Sequence, residues 1–205
     1  MKIAIIDYNL GNTYSVANAI KYLGYDVEIS SDEKKIKNAD LLILPGVGAF
    51  EEAIKNLQLL NLNNILDEEV IVNKKKILGI CVGMQLFAKT SDEKGNHKGL
   101  GWIDGNVKKI IPNNLDKVPH VGWNNINYEK TSILFSRIGD MNNFYFDHGF
   151  HFDCEDKYKS SFCKYGDIKI TSSVEKENIF GVQFHPEKSQ NAGLKLFKGF
   201  IEAIK

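Results

Sequence analysis

The chain has 205 residues, 43% hydrophobic and 25% charged, with 26 basic residues balanced by 26 acidic ones. That length and apolar content suit one domain with a large core, while the balanced charge argues against a nucleic-acid surface or electrostatic docking on anionic membrane. No apolar run approaches the roughly 20 residues of a membrane span, and the apolar N-terminal stretch is too short for a signal peptide. Three cysteines, Cys81, Cys154 and Cys163, are an odd number at no metal-type spacing, so neither a disulfide framework nor a metal site is expected, and the cytoplasm is the expected compartment.

Residues 3–7 form an apolar run ending in an aspartate, the pattern of a strand buried on both faces. Thr13 or Ser15 can cap the helix that follows, whose apolar residues Val16, Ala19, Ile20 and Leu23 recur at helical spacing before Gly24 ends it. Residues 27–30 and 41–44 read as second and third strands, and residues 50–60 and 62–72 as helices. A fourth strand, 77–80, leads into a helix expected from Met84 to Lys89. Strands alternating with helices in this way imply βαβ units and a parallel, doubly wound sheet. Beyond residue 99 the texture changes to short β-branched and aromatic segments at 102–111, 121–128, 144–152, 158–165, 168–174 and 179–184, closed by a helix at 192–204. There is no internal repeat and no low-complexity linker, so the change marks a new layer of one domain, 1–205.

Gly79-Ile80-Cys81-Val82-Gly83 lies at the junction between the fourth strand and its helix. A G-x-C-x-G sequence there is the cysteine form of a nucleophile elbow, in which flanking glycines let the backbone turn sharply and expose the thiol at a helix N-terminus. A cysteine nucleophile needs a histidine, itself oriented by a third group. His185-Pro186-Glu187 follows an apolar strand. If the segment is extended, Glu187 lies on the same side as His185 and can fix its tautomer. Leu44-Pro45-Gly46-Val47-Gly48 ends the third strand with a glycine-rich turn, whose N–H groups at Val47 or Gly48, with that of Val82, can form an oxyanion hole.

These segments, in this order, resemble the class I (triad) glutamine amidotransferases, and the resemblance runs nearly end to end. Asp7-Tyr8-Asn9-Leu10-Gly11-Asn12, Pro45-Gly46-Val47-Gly48, Gly79 to Gln85, Gly99-Leu100-Gly101-Trp102, Pro119-His120-Val121-Gly122-Trp123-Asn124 and His185-Pro186-Glu187-Lys188-Ser189 match its histidine-biosynthesis branch. The Pro-His-x-Gly-Trp-Asn segment and Lys188 set it apart from the guanine, carbamoyl and anthranilate branches. The resemblance implies an α/β, flavodoxin-like fold with a mostly parallel central sheet, flanking helices and a β-rich C-terminal half. It also implies a glutaminase. Cys81 attacks the carboxamide of L-glutamine, His185 oriented by Glu187 acts as base and then acid, ammonia leaves, and water hydrolyses the thioester. Gly46 belongs to the oxyanion turn, and Gln85 matches a position near the glutamine. No cofactor is implied. The ammonia passes to a (βα)8-barrel synthase (cyclase) subunit, the other half of a heterodimer, giving imidazole glycerol phosphate and aminoimidazole carboxamide ribotide. Asn12, Trp123 and Lys188 match positions facing that partner, and little activity is expected of the isolated chain.

One segment departs: the family's His-Ser-Tyr is His148-Gly149-Phe150 here, which removes a hydroxyl from the neighbourhood of the glutamine. That leaves room for a paralogue supplying ammonia elsewhere, as in surface-sugar amidination. A cysteine hydrolase of the same architecture and a non-enzymatic module are further alternatives. For Trp123 the alternative to an interface anchor is a core indole. If 144–152 is one strand, Asp147, His151 and Asp153 share a face and His148 the other, so these residues with Cys154 make no metal site. His97 and His120 are given no catalytic role.

Overall fold

The computed structural model describes residues 1–112, 117–129 and 131–204. Its first strand, β1 (Lys2–Ile6), is followed by α1 (Thr13–Tyr22), β2 (Asp26–Ser30), α2 (Glu33–Lys37) and β3 (Leu41–Gly46). Next come α3 (Phe50–Leu59), α4 (Leu62–Leu66) with a π-helical continuation Asp67–Val72, and β4 (Lys76–Cys81). A single helical turn, α5 (Val82–Gln85), leads to β5 (Ala88–Ser91), β6 (His97–Lys98), β7 (Ile103–Lys109) and β8 (His120–Tyr128). The chain ends through β9 (Asn143–His148), β10 (Phe150–Cys154), β11 (Lys159–Tyr165), β12 (Ile168–Lys176), β13 (Ile179–Val182) and α6 (Gln190–Ala203).

Nine strands make one sheet in the order β2-β1-β3-β4-β13-β12-β11-β8-β9. From β2 to β13 neighbouring strands are parallel, and from β13 onward they are antiparallel. The continuous apolar runs of β1, β3 and β4 are buried along nearly their whole length, as parallel strands covered on both faces require. A second sheet, β10-β7-β5-β6, packs beside the first. In the ladder β3–β4–β13, Gly46 stands opposite Cys81, and Val182 opposite Ile80. Three carboxyl ends therefore open on one crevice, the place where open α/β sheets bind ligands.

Four local expectations are corrected. The helix from Met84 to Lys89 does not form; after α5 the chain becomes β5. The reason is tertiary. The carbonyls of Leu86, Phe87 and Ala88 accept from Leu100, Ile103 and Gly101 at 2.8, 3.0 and 3.0 Å, bonds that hold residues 86–88 beside residues 100–103. This gives Gly99-Leu100-Gly101-Trp102 its task, and a Cβ on Gly99 would come 2.2 Å from the Ala88 carbonyl oxygen. The cap of α1 is Asn12, with no side-chain capping bond, rather than Thr13 or Ser15. Residues 144–152 are not one strand: β9 pairs with β8 in the large sheet, and β10 with β7 in the small one. Asp147 and His148 thus end one sheet while His151 and Asp153 belong to the other. Finally, the His185 backbone is extended, but Pro186–Lys188 forms a 3-10 turn.

Candidate active site

Cys81 ends β4 with φ 55° and ψ −113°, a conformation side chains avoid unless the surroundings enforce it. The flanking glycines do the enforcing. A Cβ on Gly83 would lie 1.8 Å from the Leu44 carbonyl oxygen, and one on Gly79 would lie 2.7 Å from the Met84 nitrogen. The sharp turn itself is taken by Cys81, and the glycines permit neighbouring backbone to close around it. Because α5 is one turn long, its dipole is small. The positive charge beside the sulfur is that of His185.

His185 follows β13, the strand next to β4. Its Nδ1 lies 2.9 Å from Glu187 Oε1, with the two side chains only 2% and 1% exposed. The pairing expected from the spacing is present, made through the 3-10 turn. Ser189 completes the motif: its hydroxyl donates to the His185 carbonyl at 2.6 Å and accepts from the Tyr145 N–H at 3.0 Å. The His185 N–H in turn donates to the Tyr145 carbonyl at 2.8 Å. Burial alone would depress the imidazole pKa, but hydrogen bonds to Cys81 and Glu187, and their charges, outweigh it and push the pKa up to about 10. His185 is therefore an imidazolium at neutral pH, held between sulfur and carboxylate.

A cavity of about 240 Å³ opens over these groups, lined by Val47, Gly48, Cys81, Val82, Gln85 and His185. Glu93, Asp147 and the His148-Gly149-Phe150 segment complete its wall. Other hollows, of about 250 to 470 Å³, lie elsewhere and are lined by neither histidine nor cysteine. Gly46 sits beneath the cavity, where a Cβ would meet Gly83 N and Tyr8 Oη at 2.7 Å each. The buried Tyr8 hydroxyl donates to the Pro45 carbonyl at 2.7 Å, holding the backbone just before the glycine-rich turn. Gly48 has φ +95° and Val47 is exposed. Val82 is the first residue of α5, a position whose N–H a helix leaves unpaired.

Two polar groups of this site, Gln183 and Glu93, were missed from sequence, and the contacts of a third, His148, were not foreseen. Gln183, fully buried after β13, donates from Nε2 to Cys81 Sγ at 3.6 Å. Its signal was a lone amide inside an apolar strand end. Glu93, in a polar stretch with no motif, accepts the Phe50 N–H at 2.8 Å and so caps α3 just beyond the glycine-rich turn. His148 fills the start of the departing segment: its Nδ1 bonds the Phe150 carbonyl at 2.8 Å, and its Nε2 meets His120 Nδ1 at 3.0 Å. A Cβ on Gly149 would meet only Pro119 and Val118 carbons at 3.8 Å, so space does not demand glycine there.

Of the residues expected at a partner surface, Trp123 is 46% exposed and meets Tyr145 edge-on at 6.1 Å; it is no core indole. Lys188 lies 3.9 Å from Asp147 and 5.4 Å over the Tyr145 ring. Trp123, Tyr145, Asp147 and Lys188 thus make one patch beside the cavity. Asn12 is half-buried at the carboxyl end of β1, next to Gly11, where a Cβ would meet the Pro45 carbonyl oxygen at 3.2 Å. Among the described residues no group of three or more His, Cys, Asp or Glu is arranged to hold a metal ion, and no helix is long and apolar enough to cross a membrane.

An elbow cysteine, a buried imidazolium–carboxylate pair and a glycine-rich turn converging on a parallel α/β sheet define an acyl-transfer enzyme with a thiol nucleophile. The family of class-I glutamine amidotransferases matches residues 4–203, and the chain belongs to it. It is 48% identical over 206 residues to imidazole glycerol phosphate synthase subunit HisH 2 of Vibrio vulnificus, covering 100% of this chain and 96% of that one. With imidazole glycerol phosphate synthase subunit HisH 1 of Campylobacter jejuni the identity is 47% over 199 residues, covering 97% and 98%. The fold is shared with PurLQS from Thermotoga maritima, at TM-score 0.75 and 17% identity over 100% and 99% of the chains.

Proposed function

We propose that the chain is the glutaminase subunit of an imidazole glycerol phosphate synthase, with residues 1–205 forming one glutaminase domain. It hydrolyses L-glutamine and delivers the ammonia to a (βα)8-barrel synthase subunit. The observation that carries the assignment of roles is the 2.9 Å contact between His185 and Glu187, with His185 and Cys81 lining one cavity.

The Cys81 sulfur attacks the side-chain carbonyl carbon of glutamine. The carbonyl oxygen becomes an oxyanion, stabilised by the N–H of Val82 and by N–H groups of the Gly46-Val47-Gly48 turn. His185, holding the proton that the Cys81 thiol gave up to it, then acts as acid: that proton goes to the amide nitrogen, the C–N bond breaks, ammonia departs, and a glutamyl thioester remains. Neutral His185 then takes a proton from water, hydroxide attacks the thioester, and glutamate leaves. Glu187 holds the ring and offsets its charge throughout. Gln85 and Glu93 supply polar groups for the amino-acid end of the substrate. Trp123, Lys188 and Asn12 belong to the surface that receives the synthase, where a sealed route keeps ammonia from being protonated in bulk water.

The test uses the assembled complex. Cys81→Ala is expected to abolish glutamine-dependent synthesis of imidazole glycerol phosphate while synthesis from ammonium salt continues. Retained glutamine-dependent turnover in that variant would refute the assignment.

A further inference from the structure

We propose that Gln183 is a catalytic residue of this site, a fixed donor to the Cys81 sulfur whose orientation is imposed by Gln85. The inference rests on the glutaminase reading and adds a residue to it.

The sulfur has three polar neighbours: the His185 ring, Gln183 Nε2 at 3.6 Å and the Asp147 carbonyl oxygen at 3.9 Å. The carbonyl is a distant acceptor, so a sulfur that has lost its proton is held by donors alone. Gln183 can serve only if its amide presents nitrogen rather than oxygen, and the network settles that. Gln85 Nε2 has two hydrogens and two acceptors, the Phe150 carbonyl at 3.0 Å and Gln183 Oε1 at 2.9 Å. Reversing Gln85 would set its oxygen against the Phe150 oxygen. Reversing Gln183 would set two amino groups face to face. One arrangement satisfies both amides, and it turns the Gln183 nitrogen toward sulfur.

The arrangement is anchored further out. The Phe150 carbonyl also accepts from His148 Nδ1 at 2.8 Å, so both its lone pairs are engaged. That bond makes His148 Nε2 an acceptor, supplied by His120 Nδ1 at 3.0 Å; His120 Nε2 is supplied in turn by Asn124 at 3.2 Å. Gln183 and Gln85 are 0% and 3% exposed, so neither amide can turn to water for a substitute partner. A buried, pre-oriented N–H beside the attacking atom stabilises negative charge there without reorganising, both before attack and when the thioester releases the sulfur.

The experiment measures three quantities on the complex with its synthase partner: glutamine-dependent kcat and KM, ammonium-driven synthesis as the report of an assembled complex, and the rate at which iodoacetamide alkylates Cys81, read by peptide mass spectrometry. Gln183→Met keeps the side-chain length and removes the donor. It is expected to lower kcat by about 10- to 1,000-fold, the range for losing one buried donor in a reaction centre, with KM changed less than about threefold and alkylation slowed about tenfold. A core glutamine with no role at sulfur would leave alkylation unchanged, and Gln183→Met with kcat and alkylation both within twofold of wild type would overturn the proposal. Should Gln183→Met fail to fold, Gln85→Glu decides. Its carboxylate calls the Gln183 amino group away and leaves the amide oxygen facing sulfur, so alkylation should slow although iodoacetamide needs no glutamine site; an unchanged rate would again overturn it. Failure here with Cys81→Ala inactive would leave the glutaminase reading standing.

Discussion

Gly83 and Leu44 meet so closely that a single methyl group would separate the two halves of the site: a Cβ on Gly83 would sit 1.8 Å from the Leu44 carbonyl oxygen. Both contact atoms belong to backbone, so no side chain can move aside. Gly83→Ala should therefore push α5 off the end of β3, shifting Val82 and Cys81 away from the glycine-rich turn. The expected cost is about 3 kcal/mol or more, the upper range for overpacking a tight core, seen as a lowered urea midpoint with glutaminase activity lost. Alanine at Gly24, where nothing lies within 4 Å but φ is +84°, should cost only about 1 kcal/mol of backbone strain and leave activity intact.

Glu187 gives a second test, because its charge is one of the causes that keep His185 protonated. Glu187→Gln preserves shape and removes the charge. The imidazole pKa should fall from about 10 toward its ordinary value. Glutamine-dependent kcat should drop by roughly 100- to 10,000-fold, as when the orienting carboxylate of a triad is neutralised. In the pH profile of kcat/KM the alkaline limit should move to lower pH. An unchanged limit would show that the imidazolium is held by the sulfur alone.

The parallel half of the fold was legible because its strands are unbroken apolar runs, and the crevice because elbow and turn each end such a run. The pairing of His185 with Glu187 was legible from its spacing, although the contact is made through a turn rather than an extended segment. What sequence concealed depends on contacts from afar. Met84 to Lys89 has the composition of a helix, yet the carbonyls of residues 86–88 are claimed by residues 100–103. Residues 144–152 carry one continuous alternation, and only pairing with β8 on one side and β7 on the other divides it at Gly149. The orientation of the Gln183 amide is set by Gln85, and nothing local in the sequence marks which way it points.

Stability should fall on both sides of neutrality for separate reasons. Burial depresses the pKa of His120 to about 4; in His148 burial, only partly opposed by the bond to the Phe150 carbonyl, depresses it to about 3. Both rings are neutral in the fold, so their contribution is complete above the unfolded value near 6.5 and is lost as pH falls through about 4 and 3, where the unfolded chain binds more protons. His185 has the opposite sign: raised to about 10, it contributes fully below about 6.5 and loses that contribution as pH rises through 10. Thermal midpoints measured from pH 3 to 10 should show both limbs. The double variant His120→Gln, His148→Gln should flatten the acid limb and leave the alkaline one; an unaltered acid limb would assign the loss to carboxylates instead.

Trp123 is the last test, because its position joins surface to chemistry. Half-exposed and edge-on to Tyr145, it contributes little to the core, so Trp123→Ala should leave the thermal midpoint of the free subunit within about 2 °C. Loss of an indole anchor should weaken binding of the synthase by about 30-fold, or about 2 kcal/mol, measurable by titration calorimetry. The Tyr145 carbonyl accepts the His185 N–H at 2.8 Å, so a partner pressing on this pair bears directly on the strand that places the imidazole. Glutaminase kcat at saturating partner should therefore fall as well. If affinity drops while saturated kcat holds, the indole is an anchor alone, and the coupling between the two subunits enters the site through the glycine-rich turn, where Tyr8 and Glu93 grip either end.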